Sequence, residues 1–492
     1  MGTRRRDPWV IAAVVAGLAL RLVNLGAAPF WFDEMYTFEL LRVPWGDFVG
    51  AAMRDNQAPL YYALAKAWTA VGGWSTWSLR IPGLLASLAC IPLAAATARL
   101  VAGSRAARMT AWVAALSPFL IQHAQDARPY ALLAALAAVN LLLLARFLAG
   151  RSSHLGFWWV LATFLMVATH YYAIFFLAGT GLALLLLRPQ PLRAWLPAGL
   201  VAGALNAAAV LTAAGRASGI FGARYAFGIT AVPGIVWSLL SGYTLMPTSE
   251  TLHALGGSRA ALPYLPIALA TLPAVVIVAV AGFRTTTREG QVLLLASFAA
   301  AVLAPFAYRL AAGVGIHPRY CAAAVVPVVI VTGAGMVLDR SWRGIATVAL
   351  LVVMGSATYL HLEDTAHGRE DLRAAGAWLD ANVPADEEIL VTSDEMEVLA
   401  RFTWPNRKFR RYPEQRGLVD RAHLPETVAA FPFRNRPRAF FLVGRAWLTD
   451  PDGELQAALV RAYESCPGID VRGIRILCLR PRSSAPSPDA IR

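Results

Sequence analysis

The chain has 492 residues, 57% of them hydrophobic and 15% charged, with a mean hydropathy of +0.52. A soluble domain carries about 25% charge, so this composition excludes an ordinary soluble enzyme and places most of the chain in lipid. The net charge of +14 does not point to nucleic acid, because the arginines are scattered between apolar runs rather than gathered on a polar domain. Basic loops beside membrane spans, in contact with membrane lipids, account for it better.

Arg4-Arg5-Arg6 precede an apolar run to Leu25, which reads as a retained first span with its N-terminus in the cytoplasm rather than as a cleaved signal peptide. Spans of the length needed to cross about 30 Å of hydrocarbon are expected at residues 8–27, 80–101, 107–122, 129–148, 156–170 and 172–188, and then at 193–213, 262–283, 290–311, 320–338 and 343–360. About eleven transmembrane helices result, and the odd count puts the C-terminus outside. The cytoplasmic joints, 103–108, 151–154, 188–193, 284–288 and 339–343, then all carry arginine. The opposite face receives a long first loop, 28–79, whose Trp and Tyr content suits helices lying in the interface. A second irregular stretch, 214–261, joins it there, and within it 229–245 is apolar enough to be a further span.

From His361 the pattern becomes that of a small extracytoplasmic α/β domain, 361–481, followed by a Ser/Pro-rich tail, 482–492, expected to be disordered. Residues 373–381 and 454–465 read as helices, and 388–392, 439–443 and 474–479 as strands. The expected fold class is therefore a polytopic α-helical membrane protein, residues 1–360, in the cell membrane, with that domain appended. Cys90 and Cys321 fall in spans, where an apolar role is expected. Cys466 and Cys478 flank a turn and a strand, a spacing that could close a disulfide in an oxidising exterior.

Four polar motifs fall on the outer face in this threading. Trp31-Phe32-Asp33-Glu34 sets two adjacent carboxylates just past the first span; alone, such a pair at a helix start is more often a cap than a general base. Gln122 to Tyr130 places Asp126, Arg128 and Tyr130 at the junction of the third and fourth spans. His170 and Tyr171 stand at the end of the fifth, and His317, Arg319 and Tyr320 before the tenth. Ionisable groups at helix ends facing a bundle interior are functional candidates. A carboxylate base beside Arg and His at head-group depth suits transfer from a donor whose leaving group is a lipid-linked phosphate, whose departing charge needs cations rather than a second acid. Arg128, Arg319 and His317 suit that task. No cofactor is required by this chemistry, and no Cys/His spacing of the zinc type occurs, although Asp33 and Glu34 could hold a divalent cation.

With these residues in order, the chain resembles the GT-C superfamily of polyprenyl-phosphate-sugar glycosyltransferases, specifically the bacterial relatives of protein O-mannosyltransferases, family 39. The resemblance runs over residues 20–340 and rests on Trp31-Phe32-Asp33-Glu34, Pro59-Leu60-Tyr61-Tyr62, Gln125 to Tyr130, Thr169-His170-Tyr171-Tyr172 and Pro318-Arg319-Tyr320. It implies an inverting transfer of a sugar, by default mannose, to a lipid, glycan or protein acceptor, with the catalytic Asp falling on Asp33, the adjacent acid on Glu34 and the donor-phosphate Arg on Arg128. Two positions depart from the pattern: Ala58-Pro59-Leu60 where relatives have Pro-Pro-Leu, and Asp126 where they often have Glu. No function is carried onto the C-terminal domain. The competing readings are a lipid-linked-sugar flippase, which should show repeated interrupted helices, and a non-catalytic lipid-sugar binding scaffold.

Overall fold

The computed structural model describes residues 7–54, 57–150, 155–187, 231–248, 251–252, 255–312, 316–364, 367–414, 418–433 and 437–482. The chain divides into two compact units: Met1–Ala28, Tyr36–Pro247 and Gly257–Thr365 form the first, and Pro29–Met35, Thr248–Gly256 and Ala366–Arg492 the second.

The first unit is helical. Helix α1 (Pro8–Leu22) starts where the Asp7 side chain accepts the Trp9 amide at 3.1 Å and Pro8 supplies a preset φ. The expected first loop contains α2 (Phe32–Arg42), α3 (Trp45–Arg54) and α4 (Pro59–Gly72). The stretch α5 (Thr76–Leu116) carries two expected spans, 80–101 and the first part of 107–122, as two helices that meet across a kink at Gly103, with φ 88° and ψ −179°. Ser117 caps α6 (Pro118–Ala124), and a short turn leads into α7 (Tyr130–Leu148). Next come α8 (Leu155–Thr169), α9 (Ala173–Leu187), α10 (Ala231–Ser241), α11 (Leu265–Thr285) and α12 (Arg288–Ala312). A 3-10 turn, Pro318–Ala324, opens α13 (Val325–Gly335), and α14 (Trp342–Glu363) completes the unit.

Among the described residues six helices are long and apolar enough to cross a membrane, and four more, at 8–22, 155–169, 173–187 and 231–241, are apolar but shorter. Of the stretch considered as a crossing at 229–245, the described residues contain the apolar helix α10, Ala231–Ser241. The expected span at 193–213 lies outside the described residues, as do residues 1–6 and 214–230. Small side chains let the helices approach closely. The core includes Ala94, Ala98, Ala111, Ala134 and Ala138, and a Cβ placed on Gly335 would lie 1.9 Å from the Val278 carbonyl oxygen.

Arg21 is fully buried at the end of α1. Its guanidinium donates to the Ser87 hydroxyl at 2.9 Å and to the carbonyls of Gly17, Ala115 and Ala114 at 3.0, 3.1 and 3.1 Å. It thus supplies donors to the orphan carbonyls at the end of α5, a position that favours positive charge.

The second unit carries a five-stranded sheet, β1 (Glu388–Val391), β2 (Lys408–Arg411), β3 (Ala439–Gly444), β4 (Glu464–Val471) and β5 (Ile474–Arg480), in the order β2-β1-β3-β5-β4. β1 runs parallel to β2 and β3, and β5 antiparallel to β3 and β4. Helices α15 (Leu372–Asn382), α16 (Asp394–Thr403), α17 (Leu424–Ala429) and α18 (Glu454–Ala462) flank it, with Leu390, Phe441, Leu455, Leu459 and Leu479 in one buried cluster. Asp371 and Ser393 cap α15 and α16. Cys466 and Cys478 are directly opposed on β4 and β5 and form a disulfide. The expected tail is, apart from Arg482, outside the described residues.

Candidate active site

In the helical unit the turn between α6 and α7 is fixed from several sides. Gln125 donates to the carbonyls of Arg21 and Val23 at 3.2 and 2.7 Å, and its amide oxygen meets His361 at 2.9 Å. Gln122 accepts the Tyr243 amide at 2.9 Å, and this approach needs glycine at 242: φ is +67°, and a Cβ would lie 2.5 Å from the Gln122 amide oxygen. The polar residues of this turn therefore divide. Gln122 and Gln125 anchor it, and Asp126 and Arg128 are left to face the neighbouring helices.

Arg128 is buried, and its guanidinium spans two acceptors, the Thr37 hydroxyl and the Gln57 amide oxygen, each at 3.4 Å. The same guanidinium lies 5.7 Å from the Tyr62 ring centre, and Tyr62 donates to the Gln57 amide oxygen at 2.7 Å. Tyr171 donates to the Gln57 carbonyl at 3.1 Å. Thr37 donates to the Ala127 carbonyl at 3.0 Å, so α2, α4 and the α8–α9 turn all meet at Arg128. His123 joins the Tyr243 hydroxyl at 3.1 Å and faces the Asp126 carboxylate at 3.9 Å.

Arg319 enters the same cluster from the 3-10 turn. Its guanidinium lies 5.7 Å from the rings of both Tyr130 and Tyr320. His170 packs against those same two rings, at 5.7 and 5.8 Å, and His317 against Tyr243 at 5.6 Å. His317 Nδ1 accepts the Arg319 amide at 3.3 Å, which fixes the turn that presents the guanidinium. Asp126, Arg128, Tyr130, His170, Tyr171, His317, Arg319 and Tyr320, drawn from three distant stretches of sequence, thus belong to one connected cluster. Thr37, Gln57 and Tyr243 belong to it as well and were not singled out in the sequence, where each is an isolated polar residue.

Asp33 and Glu34 belong to the second unit. They occupy the first turn of α2, where a helix end favours negative charge. Glu34 is buried and its carboxylate lies 3.8 Å from the Arg369 guanidinium, which itself stands 5.1 Å from the Trp31 ring centre. Arg445 lies 4.0 Å from the Phe32 ring centre, and donates to Glu370 at 2.7 Å and to Glu395 at 2.9 Å. Burial works against the Arg445 charge, but Glu370, Glu395 and Asp33 outweigh it and hold the guanidinium more firmly protonated than usual. Burial in turn raises Glu395 above the usual carboxylate range, because one guanidinium shared among several carboxylates does not offset it. Among the described residues no group of three His, Cys, Asp or Glu side chains is arranged to hold a metal ion.

Comparison with solved structures relates this architecture to known proteins. The crystal structure of ArnT from Cupriavidus metallidurans in the apo state aligns with a TM-score of 0.53, covering 96% of this chain and 98% of that one. The chain shares the fold of ArnT. Sequence identity to ArnT is only 12%, so the likeness is one of fold. ArnT has also been solved bound to undecaprenyl phosphate, and that structure aligns at 13% identity with the same TM-score of 0.53 and the same coverage, 96% and 98%. The apo oligosaccharyltransferase of Archaeoglobus fulgidus aligns at a TM-score of 0.50 and 12% identity, over 99% of this chain and 76% of its own. ArnT and this oligosaccharyltransferase are GT-C superfamily glycosyltransferases. No protein-family model matches the chain, and no curated protein matches it either.

Proposed function

We propose that the protein is an inverting glycosyltransferase that moves a sugar from a polyprenyl-phosphate donor to an acceptor hydroxyl on the extracytoplasmic face of a cell membrane. The observation that carries this reading is the convergence of Arg128 and Arg319 with four Tyr and His rings inside a helical unit whose fold matches a protein solved with undecaprenyl phosphate. Two guanidiniums suit a phosphate leaving group: each is permanently charged and presents a planar fork of donors. Phosphate charge that develops as the sugar bond breaks is stabilised by groups already in place.

In this reading the Asp33 carboxylate takes the proton of the acceptor hydroxyl as that oxygen attacks the anomeric carbon. The carbon–oxygen bond to phosphate breaks on the opposite face, the polyprenyl phosphate leaves as an anion on Arg128 and Arg319, and the configuration inverts. Asp126, Tyr130, His170, Tyr171, His317 and Tyr320 line the donor site. The assignment of Asp33 is supported by the family resemblance of Trp31-Phe32-Asp33-Glu34 and by its place in the first turn of α2. Mannose is the first donor to assay, and lipid, glycan and protein hydroxyls are the acceptors.

The test is a transfer assay with purified protein and polyprenyl-phosphate sugars. Asp33→Asn is expected to lower turnover by about 100-fold or more, as loss of a general base does, with donor binding retained. Unchanged turnover removes Asp33 from the role of base. Turnover in EDTA is expected to stay within about twofold of that with Mg2+, because the arginines supply the charge stabilisation a metal would otherwise give.

A further inference from the structure

Within the second unit, the segment that bears Asp33 is gripped by side chains remote from it in sequence. Phe30 packs against Phe402 with ring centres 6.3 Å apart, and Trp31 lies beneath Arg369. Phe32, the first residue of α2, lies 4.0 Å beneath Arg445. Arg445 follows the end of β3 and stands at φ 52°, ψ 37°, a left-handed conformation that costs an L-residue about 1 kcal/mol or more. Such a conformation persists where the surroundings over-determine it. Here they do: Glu370 and Glu395 each take one edge of the guanidinium, and its flat face covers Phe32.

We infer that Arg445 is a positioning residue for the proposed reaction: clamped by Glu370 and Glu395, it holds Phe32 and so orients the carboxylate of Asp33, the next residue of the helix. This rests on Asp33 being the base. Phe32 is the hinge point, since whatever fixes its ring fixes the start of α2. A lysine cannot replace the guanidinium, because a single ammonium neither bridges two carboxylates nor presents a planar face to the ring. The charged groups around this clamp are Asp33 and Glu34 on α2, Arg369 and Glu370 before α15, and Glu395 on α16. Residues 366–482 of the second unit thereby belong to the machinery of proton removal, acting through Phe32 on Asp33 rather than on the reacting atoms directly.

The test compares wild type with Arg445→Gly, Arg445→Lys and Arg421→Ala. Glycine accepts φ 52° without strain, so Arg445→Gly relaxes the backbone while deleting the clamp. It is expected to lower kcat by about 100-fold, the cost of misplacing a reacting group by ~1 Å, with donor KM within about threefold of wild type. Arg445→Lys is expected to recover about one tenth of wild-type kcat, keeping the charge but not the fork. Arg421→Ala, which removes an exposed ion pair to Asp452 and Glu454, is expected to leave turnover unchanged. Amide exchange of residues 29–35 is expected to accelerate in Arg445→Gly. The inference is overturned if wild type transfers sugar and Arg445→Gly retains kcat, if kcat falls only in step with a rise in donor KM, or if exchange over 29–35 is unaltered. A wild-type chain that transfers no sugar overturns the proposed function itself.

Discussion

Arg128 illustrates what one side chain must do in this cluster. Its guanidinium reaches Thr37 on α2 and Gln57 in the link before α4 while lying against Tyr62, and only a planar fork does both. Arg128→Lys keeps the charge and loses one acceptor. Since a hydrogen bond to a charged group contributes about 1.5–3 kcal/mol, polyprenyl-phosphate affinity is expected to fall about tenfold or more, as measured by titration of the purified protein. An affinity equal to wild type would mean that Arg128 braces helices rather than binds phosphate. The residues of this cluster were legible in the sequence wherever charge or imidazole stood beside an aromatic at a span end. Gln57, Thr37 and Tyr243 were not, since their importance lies in which backbone atoms they reach. Arg445 was equally hidden: a left-handed backbone at a non-glycine residue leaves no mark in the sequence, and its partners Glu370 and Glu395 are 75 and 50 residues away.

At the scale of elements, apolar runs marked helices well because burial in lipid demands uninterrupted apolar length. Helix α7 covers 130–148 where 129–148 was expected, and α14 covers 342–363 where 343–360 was expected. The joint expected at 103–108 is met at Gly103, whose φ of 88° breaks α5 into two helices at the junction of the expected spans 80–101 and 107–122. In the sheet, β1, β3 and β5 were visible as apolar runs. β2 was not, because Lys408-Phe409-Arg410-Arg411 buries only Phe409. β4 was not visible either: only Glu464 and Ser465 fall in the expected helix 454–465 and the rest in an expected turn, and its Pro467-Gly468 pair sits where the register shifts between Cys466 and Ile469. The disulfide ties this irregular edge strand to β5 across a separation of 12 residues. Replacing both cysteines by serine is expected to lower stability by about 2–3 kcal/mol, given a loop of that length. Denaturant unfolding of the full chain, followed by a probe in the C-terminal unit, measures it.

Across the helical unit, basic joints gather at one end and the cluster at the other. Asp7 receives Arg99 at 3.1 Å and Arg108 at 2.9 Å, and the Thr287 amide donates to the Val101 carbonyl at 2.8 Å, so the start of α1 and two arginine-bearing joints lie together. At the far end of the same helices His361 meets Gln125, and Thr244 donates to the Ala357 carbonyl at 3.0 Å. In the orientation proposed on the positive-inside rule, the Asp7 end faces the cytoplasm. Reporter fusions at residues 103 and 361 are expected to report a cytoplasmic and an extracytoplasmic position respectively. A cytoplasmic 361 would place the cluster on the wrong face for the proposed chemistry.

Arg21 adds a constraint in time. It is buried beside Ser87, Ala114 and Ala115, and the last of these lies 94 residues further along the chain. A growing polypeptide therefore delivers α1 to the membrane with an arginine near its end that has none of these partners, at a cost of up to about 2.5–3.5 kcal/mol were it at mid-bilayer. The first helix cannot settle into its final place until the end of α5 has been synthesised and threaded beside it. Insertion of α1 and α5 is thus a joint event, timed by one guanidinium waiting for its carbonyls.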